Sequence, residues 1–153
     1  MDINIIKGET THVLDCKIAV QKSELGRIYF PGDDKAIQAL NEGISKGEVF
    51  VAINEKNECV GFVWIILNGA FHSFPYIHII AVKEEFRNLG IGKILLKFCE
   101  ETFAKENSKL FLVVGDFNPK AKRWYKSMGY KEVGAIPGLY KKGVDERLMM
   151  KEL

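Results

Sequence analysis

No run of apolar residues in this chain is long enough to cross a bilayer. The longest, residues 60–67, falls far short of the roughly 20 residues a spanning helix needs. The opening residues MDINIIKGETTH lack the basic start and apolar stretch of a secretory signal, so none is expected. Neither sign of charge dominates: 22 basic against 20 acidic residues leave +2, which gives no argument from charge for a nucleic acid or an anionic membrane as partner. Cysteine is scarce, with Cys16, Cys59 and Cys99 making 3. Their spacing fits no metal-ligand or redox motif, and three thiols cannot all pair within one chain, which points to a reducing, cytoplasmic compartment. His12 and His72 stand in unrelated contexts, so no metal is expected. Repeats, low-complexity tracts and linker-like stretches are missing too.

What is there has the make-up of a soluble globular protein, 47% apolar and 27% charged. A length of 153 residues supports one domain, residues 1–153, with a core of its own.

Residues 2–6 alternate as a strand does. A helix is expected over residues 10–20, with Val13, Leu14 and Ile18 on one side. Asp33 and Asp34 offer N-caps for a second helix, in which Ala36, Ile37, Leu40 and Ile44 recur at helical spacing and which Gly47 ends. Residues 49–54 and 59–67 read as a hairpin joined by the polar turn 55–58. Residues 77–82 form a β-branched run suited to the middle of a sheet. The clearest helix follows. Ile91, Ile94, Leu95, Phe98, Cys99, Thr102 and Phe103 share one face, while Lys93, Lys97, Glu100, Glu101 and Lys105 take the other. Residues 110–114 are a buried strand. Asn118 and Pro119 open a short helix as N-cap and N1 residue, and Gly129 closes it. Two last strands, 130–135 and 147–152, flank a Gly-rich loop. Helices and strands interleaved in this way predict an α/β or α+β sandwich with a mixed sheet.

Two segments carry chemistry. The first is Arg87-Asn88-Leu89-Gly90-Ile91-Gly92. A chain that leaves a strand and turns at once into a helix points free N–H groups, and the positive end of the helix dipole, at whatever lies above the strand end. Gly90 and Gly92 allow close approach, and Arg87 and Lys93 add full charges, so the turn suits a diphosphate. A bare Gly-x-Gly means little, since glycine makes up about 7% of residues generally. The strand before, the helix after and Arg87 give it weight. Leu95 stands where a dinucleotide fingerprint needs its third glycine, and Arg87 where a Walker loop needs its first.

The second segment is Asn118, Ala121 and Tyr125, spaced to share one helical face. Ala121 leaves room beside the phenol. With a reference pKa of about 10, a phenol is protonated at neutral pH and can give a proton to a thiolate leaving group. A core aromatic beside Trp124 and Met128 is the other reading of Tyr125.

Strand, Arg-x-x-Gly-x-Gly, helix, strand and then Asn118-x-x-Ala121-x-x-x-Tyr125-x-x-x-Gly129-Tyr130 together resemble the GNAT superfamily of acetyl-CoA-dependent N-acetyltransferases. The resemblance covers residues 77–153, including the closing strand; the first half agrees only in element order. It implies a GNAT-like mixed, mostly antiparallel central sheet of about six to seven strands flanked by about four helices, with splayed central strands. It implies acetyl-CoA as co-substrate, its pyrophosphate cradled by Arg87, Asn88, Leu89, Gly90, Ile91, Gly92 and Lys93. The backbone of Ile80, Ala81 and Val82 would pair with the pantetheine arm, with the Val82 N–H as oxyanion donor. Asn118 and Ala121 would lie beside the arm, and Tyr125 would face the sulfur as catalytic acid. The acceptor would be a primary amine attacking directly in a ternary complex, because no cysteine near the motifs offers an acyl-enzyme. No nucleic acid and no membrane are expected as partners, and the protein is expected to be a monomer or homodimer.

A lysine-like amine, pKa about 10.4, is uncharged only about once in a few thousand at pH 7, so a base is useful. Many members of the superfamily carry a glutamate on the strand corresponding to 77–82, and this chain does not. By alternation Tyr76, His78, Ile80 and Val82 share a face, which leaves His78 as the candidate base; a hydrogen-bonded strand histidine is the alternative. The missing glutamate keeps open a non-catalytic CoA-binding or regulatory module on the same fold. Lys120, Lys122, Arg123, Lys126, Lys131, Lys141 and Lys142 make a solvated basic face that can also attract phosphates. Residues 23–34 and the loop 136–145 are expected to border the acceptor cleft, with Phe30, Phe71, Phe74 and Tyr140 as possible walls.

Overall fold

The computed structural model describes residues 1–104 and 108–153. Seven strands make one sheet in the order β1-β2-β3-β4-β5-β7-β6. They are β1 (Asn4–Lys7), β2 (Val49–Ile53), β3 (Cys59–Ala70), β4 (Phe74–Val82), β5 (Lys109–Gly115), β6 (Lys131–Lys141) and β7 (Val144–Glu152). Every neighbouring pair is antiparallel except β4 and β5, which run parallel. The helices described are α1 (Val13–Gln21), α2 (Glu24–Tyr29), α3 (Asp33–Ser45), α4 (Ile91–Phe103) and α5 (Pro119–Ser127). The expected mixed, mostly antiparallel sheet is present. Among the described residues, no helix is long and apolar enough to cross a membrane.

The two faces of the sheet hold two apolar clusters. On one, Ile91, Leu95, Leu96 and Cys99 of α4 pack with Tyr125, Tyr130, Met149 and residues of β3 to β5. On the other, Cys16, Ala19 and Val20 of α1 and Leu40 of α3 pack with Val49, Val51, Phe62 and Ile79. Burying each aliphatic side chain contributes about 1.5–3 kcal/mol, so the long helix α4 is pinned along one stripe. That stripe departs from the sequence expectation at both ends. Ile94 is 37% exposed and Leu96 is fully buried, and Thr102, expected on the apolar face, is exposed. Lys105, expected on its polar face, lies outside the described residues.

Other departures have local causes. α1 turns Val13, Cys16, Ala19 and Val20 inward, leaving Leu14 and Ile18 61% and 40% exposed; small residues let α1 approach α3 and the sheet closely. α3 takes Gly32 rather than an aspartate as its N-cap, with no side-chain capping bond. The sequence marks the α2 segment only as cleft border. Its helix is capped by the Ser23 hydroxyl, which accepts from the Gly26 N–H at 3.0 Å. The expected loop 136–145 is mostly strand. β6 runs on to Lys141 and turns into β7 through Gly143, at φ 84°.

Within β4 the register against β3 passes from Trp64↔Ile79 to Ile65↔Ile77, so His78 is an extra residue, a β-bulge. The bulge reverses the alternation. Ile77 faces the α4 side, Ile79 the α1 side, and Ile80 and Val82 pack on the α4 side again. Tyr76 and His78 therefore do not share a face with Ile80 and Val82, contrary to strict alternation. Bulges bend their strand, and here β4 pairs with β5 only at Tyr76↔Phe111 and Ile77↔Leu112. Beyond the bulge the two central strands separate, leaving an open slot at the carboxyl end of the sheet.

Candidate active site

At the end of β4 the chain makes a short 3₁₀ turn and enters α4. Asn88 and Gly90 adopt positive φ, 63° and 86°, a conformation asparagine and glycine tolerate best. Gly90 is the N-cap and supplies no capping side chain, and the first helical bond is Ile94 N–H to Gly90 O at 3.1 Å. The N–H groups of the first α4 turn are thus left for a ligand. A Cβ on Gly90 would meet nothing within 4 Å, so its open side is the groove. Arg87 is also a structural tie. Its Nε donates to Val82 O at 3.0 Å and its Nη2 to Lys22 O at 3.1 Å, which joins the end of β4 to the end of α1.

A groove of 610 Å³ runs from this turn to α5. Its lining brings together Ile80, Ala81, Val82, Arg87, Asn88, Gly90, Ile91, Gly92, Lys93, Asn118, Ala121 and Tyr125, which the sequence placed at the cofactor site. Leu89 is half exposed and outside the lining. Lys22, Arg27, Arg87, Lys93 and Lys120 line the groove with Glu24 as the one acid of the lining; Arg27 is paired with that Glu24, and Lys22 lies 3.9 Å from Glu84. The field suits a polyanion. Asn118 caps α5, its Oδ1 accepting from Ala121 N–H at 3.2 Å, while its amide group borders the groove. Because the Lys83 N–H is donated across to Val60 O on β3, strand alternation turns the Val82 N–H to the opposite edge, into the slot.

Tyr125 sits where the groove meets a second cavity of 110 Å³ between β4 and β5. Its ring packs edge-on to Trp124 and Tyr130, 4.9 and 5.9 Å between centroids. Among the described residues its hydroxyl has no hydrogen-bond partner. Burial pushes the phenol above its ordinary value, which keeps it protonated. Core packing and a free hydroxyl at the slot thus coexist in one residue.

The second cavity shares Leu25, Tyr29, His78, Ile79, Val113 and Glu146 with a third of 240 Å³, bounded by α2, β4, β5 and the β6–β7 hairpin. Leu25, Tyr29, Phe30, His78, Val113 and Tyr140 wall it. Of the walls suggested by the sequence, Phe30 and Tyr140 are here. Phe71 and Phe74 are not; they pack on Phe111 instead. His78 stands edge-on to Trp64 at 4.8 Å, and burial lowers its pKa, leaving it neutral. Glu146, at the start of β7, is not marked out by the sequence because it sits in a charged run, Asp145-Glu146-Arg147. It is 2% exposed and accepts a 2.6 Å hydrogen bond from the Tyr29 hydroxyl.

The turn at Gly90 offers a direct test of its conformation. Gly90→Ala puts a side chain at positive φ, a strain of roughly 1–2 kcal/mol. The expected fall in Tm is about 2–8 °C, together with an approximately tenfold weaker Kd, by calorimetry, for acetyl-CoA, the co-substrate that the sequence resemblance implies. Gly134→Ala, on β6 and equally open, serves as control and should leave both unchanged. Identical behaviour of the two variants would remove the turn from the ligand site.

Comparison with known proteins agrees with this geometry. The family model described as "Acetyltransferase (GNAT) family" matches residues 19–130. An uncharacterized N-acetyltransferase of Methanocaldococcus jannaschii is 40% identical over 79 residues, 49% of this chain and 51% of that protein. The match thus spans only about half the length of that relative. An N-alpha-acetyltransferase of Sulfolobus acidocaldarius is 31% identical over 116 residues, covering 67% of this chain and 68% of its own. Among solved structures, Ard1 from Thermoplasma volcanium superposes with a TM-score of 0.75 at 20% identity, covering 100% of this chain and 99% of that one. With the split β4–β5 pair, the uncapped turn into α4 and the family match over most of its length, the chain belongs to the GNAT acetyltransferase family.

Proposed function

We propose that residues 1–153 act as one N-acetyltransferase domain that transfers acetyl from acetyl-CoA to a primary amine, in a single ternary complex. The observation that carries this reading is the row of adjoining cavities with shared walls, from the uncapped first turn of α4, along a cation-lined groove, to Tyr125 and then an aromatic pocket. The groove fits the co-substrate on its own terms, since free N–H groups, an absent Cβ and surrounding cations meet a diphosphate. Bound there, acetyl-CoA supplies the acetyl group as an activated thioester. The first-turn N–H groups of α4 and Lys93 hold the pyrophosphate. The Val82 N–H, turned into the slot, stabilises negative charge on the carbonyl oxygen. Tyr125 gives its proton to the departing sulfur. Asn118 and Ala121 set the space beside the arm. His78 belongs to the acceptor pocket as a neutral ring.

The name of the Sulfolobus acidocaldarius relative supports an α-amino group as acceptor. An α-amine, pKa about 7.7–8.0, is also far easier to deprotonate than a lysine side chain at about 10.4.

The test combines calorimetry with acetyl-CoA and an assay for free CoA over a panel of amines and peptides. The expected result is saturable binding, competed by desulfo-CoA, and CoA release that depends on an α-amine. Binding without turnover on any amine would favour a non-catalytic CoA-binding module instead.

A further inference from the structure

Two polar side chains are buried among the described residues, Asn54 and Glu146. Asn54 is satisfied within its own turn: its Oδ1 accepts from the Lys56 and Glu58 N–H groups and its Nδ2 donates to Glu58. Glu146 is different. Its one hydrogen-bond donor among the described side chains is Tyr29, and no cation described is paired with it. Arg147, the next residue in the chain, is committed to Asp116 through two bonds of 2.8 and 3.1 Å. A carboxylate taken out of water without a cation is costly unless a partner arrives. Burial accordingly raises the Glu146 pKa, Asp116 adds to this, and the Tyr29 hydrogen bond opposes it.

Glu146 lines both the cavity that holds Tyr125 and the aromatic pocket beyond it. Tyr29 lines that pocket, edge-on to Phe117 and Tyr140 at 5.8 and 5.6 Å. The Tyr140 hydroxyl meets that of Tyr76 at 2.7 Å. Ring faces and one carboxylate are the chemistry that recognises an ammonium. No second acid lines either cavity, and neither is lined by a lysine or arginine.

We propose that Glu146 is the counter-ion of the acceptor's ammonium group and takes its proton, and that the pocket selects a singly charged peptide N-terminus. This rests on the acetyl-transfer reading above. A polyamine or aminosugar would bring further cations with no acid to meet them. A free amino acid would bring a carboxylate with no cation to meet it. A peptide N-terminus has one charge, and its carboxyl is already an amide. In the step itself, one ammonium proton passes to the Glu146 carboxylate and the freed nitrogen lone pair forms the C–N bond as the C–S bond breaks. Tyr125 protonates the sulfur, and the second proton lost from nitrogen makes up for it. The products are the amide, CoA thiol and one proton, which leaves Glu146 for solvent.

The experiment uses the full chain, acetyl-CoA, and three probes: a C-terminally amidated peptide starting with alanine, free alanine and spermidine. The wild type should favour the peptide by about 30-fold or more in kcat/KM. Glu146→Gln should lower peptide kcat/KM about 100-fold, the range for unpairing a buried charge. It should leave the acetyl-CoA Kd within about twofold, and its Tm should be equal or higher, because an unpaired buried charge has been removed. Tyr29→Phe supplies a readout a packing role would not move. The groups facing Glu146 are Tyr29 of α2, Tyr76 and His78 of β4, Tyr140 of β6 and the Arg147-bound Asp116 after β5. Losing the Tyr29 hydroxyl removes the one contact that lowers the Glu146 pKa. The carboxylate then protonates at higher pH, and the acid limb of kcat/KM moves upward. Retention of activity within threefold in Glu146→Gln, an unmoved acid limb in Tyr29→Phe, or preference for spermidine or free alanine would each overturn the proposal while leaving acetyl transfer standing. A wild type that neither binds acetyl-CoA nor releases CoA would instead overturn the reading on which it rests.

Discussion

Tyr125→Phe lowers kcat by between about 10² and 10⁴, the usual contribution of a positioned acid, and leaves the Kd for acetyl-CoA nearly unchanged. In free energy this is about 2.7–5.4 kcal/mol of transition-state stabilisation. The size and selectivity follow from the position of the hydroxyl. The ring is held by Trp124 and Tyr130, contacts that phenylalanine keeps, so neither the fold nor the groove should respond. The hydroxyl has no hydrogen-bond partner among the described residues, so its removal leaves no protein group unpaired. What is lost is the proton it delivers. The phenol must be protonated to act, and burial raises its pKa. Wild-type activity should therefore show no Tyr125-dependent fall until the pH exceeds the ordinary tyrosine value of about 10. Single-turnover kinetics decide the matter. Equal losses in kcat and in the affinity for acetyl-CoA, or no loss at all, would remove Tyr125 from the acid role.

Gly26→Ala should be the most damaging single methyl group for the fold. A Cβ at Gly26 would lie 1.8 Å from Val20 O, 2.6 Å from Val20 C and 2.8 Å from Gln21 Cα. All three are backbone atoms of the α1 end, so no flexible side chain can yield, and α2 must move away bodily. Overpacking usually costs about 1–3 kcal/mol; a backbone clash belongs at the upper end, which means a fall in Tm of roughly 6–12 °C. The functional effect follows from what α2 carries. Leu25 and Tyr29 wall the acceptor pocket, and Tyr29 holds Glu146. Below its melting temperature the variant should lose tenfold or more in kcat/KM for the amine. Arg27 of α2 also borders the cofactor groove, so affinity for acetyl-CoA should fall as well, but less than kcat/KM for the amine, because the first turn of α4 stays in place. A Tm within about 1 °C of wild type would show that α2 does not rest on α1 as described.

The parts of this protein legible in its sequence are those set by residues within about a turn of one another. The stripe of α4 follows from 3.6-residue spacing. The start of α5 follows from Asn118 and Pro119, whose capping bond is present at 3.2 Å. The positive φ of Gly90 follows from the absence of a Cβ at a strand-to-helix turn. These local signals mark the two ends of the groove between the α4 turn and α5, whereas its β4 wall, Ile80, Ala81 and Val82, follows only from the family resemblance.

The acceptor side was decided elsewhere. A single bulge at His78 reversed the faces of β4 and undid an argument from strict alternation, because the extra residue reflects how β3 and β4 pair and leaves no mark in β4 itself. α2 is six residues long, too short for periodicity to show. Glu146 looks from its neighbours like one more surface charge; its burial depends on Tyr29, 117 positions away in the chain. Sequence alone determined the turn, the helix behind it and the tyrosine face, since hydrogen-bond caps and side-chain spacing act over a few residues. Only the tertiary structure decided the width of the slot and the company of the buried carboxylate, since both arise where segments distant in the chain are packed together.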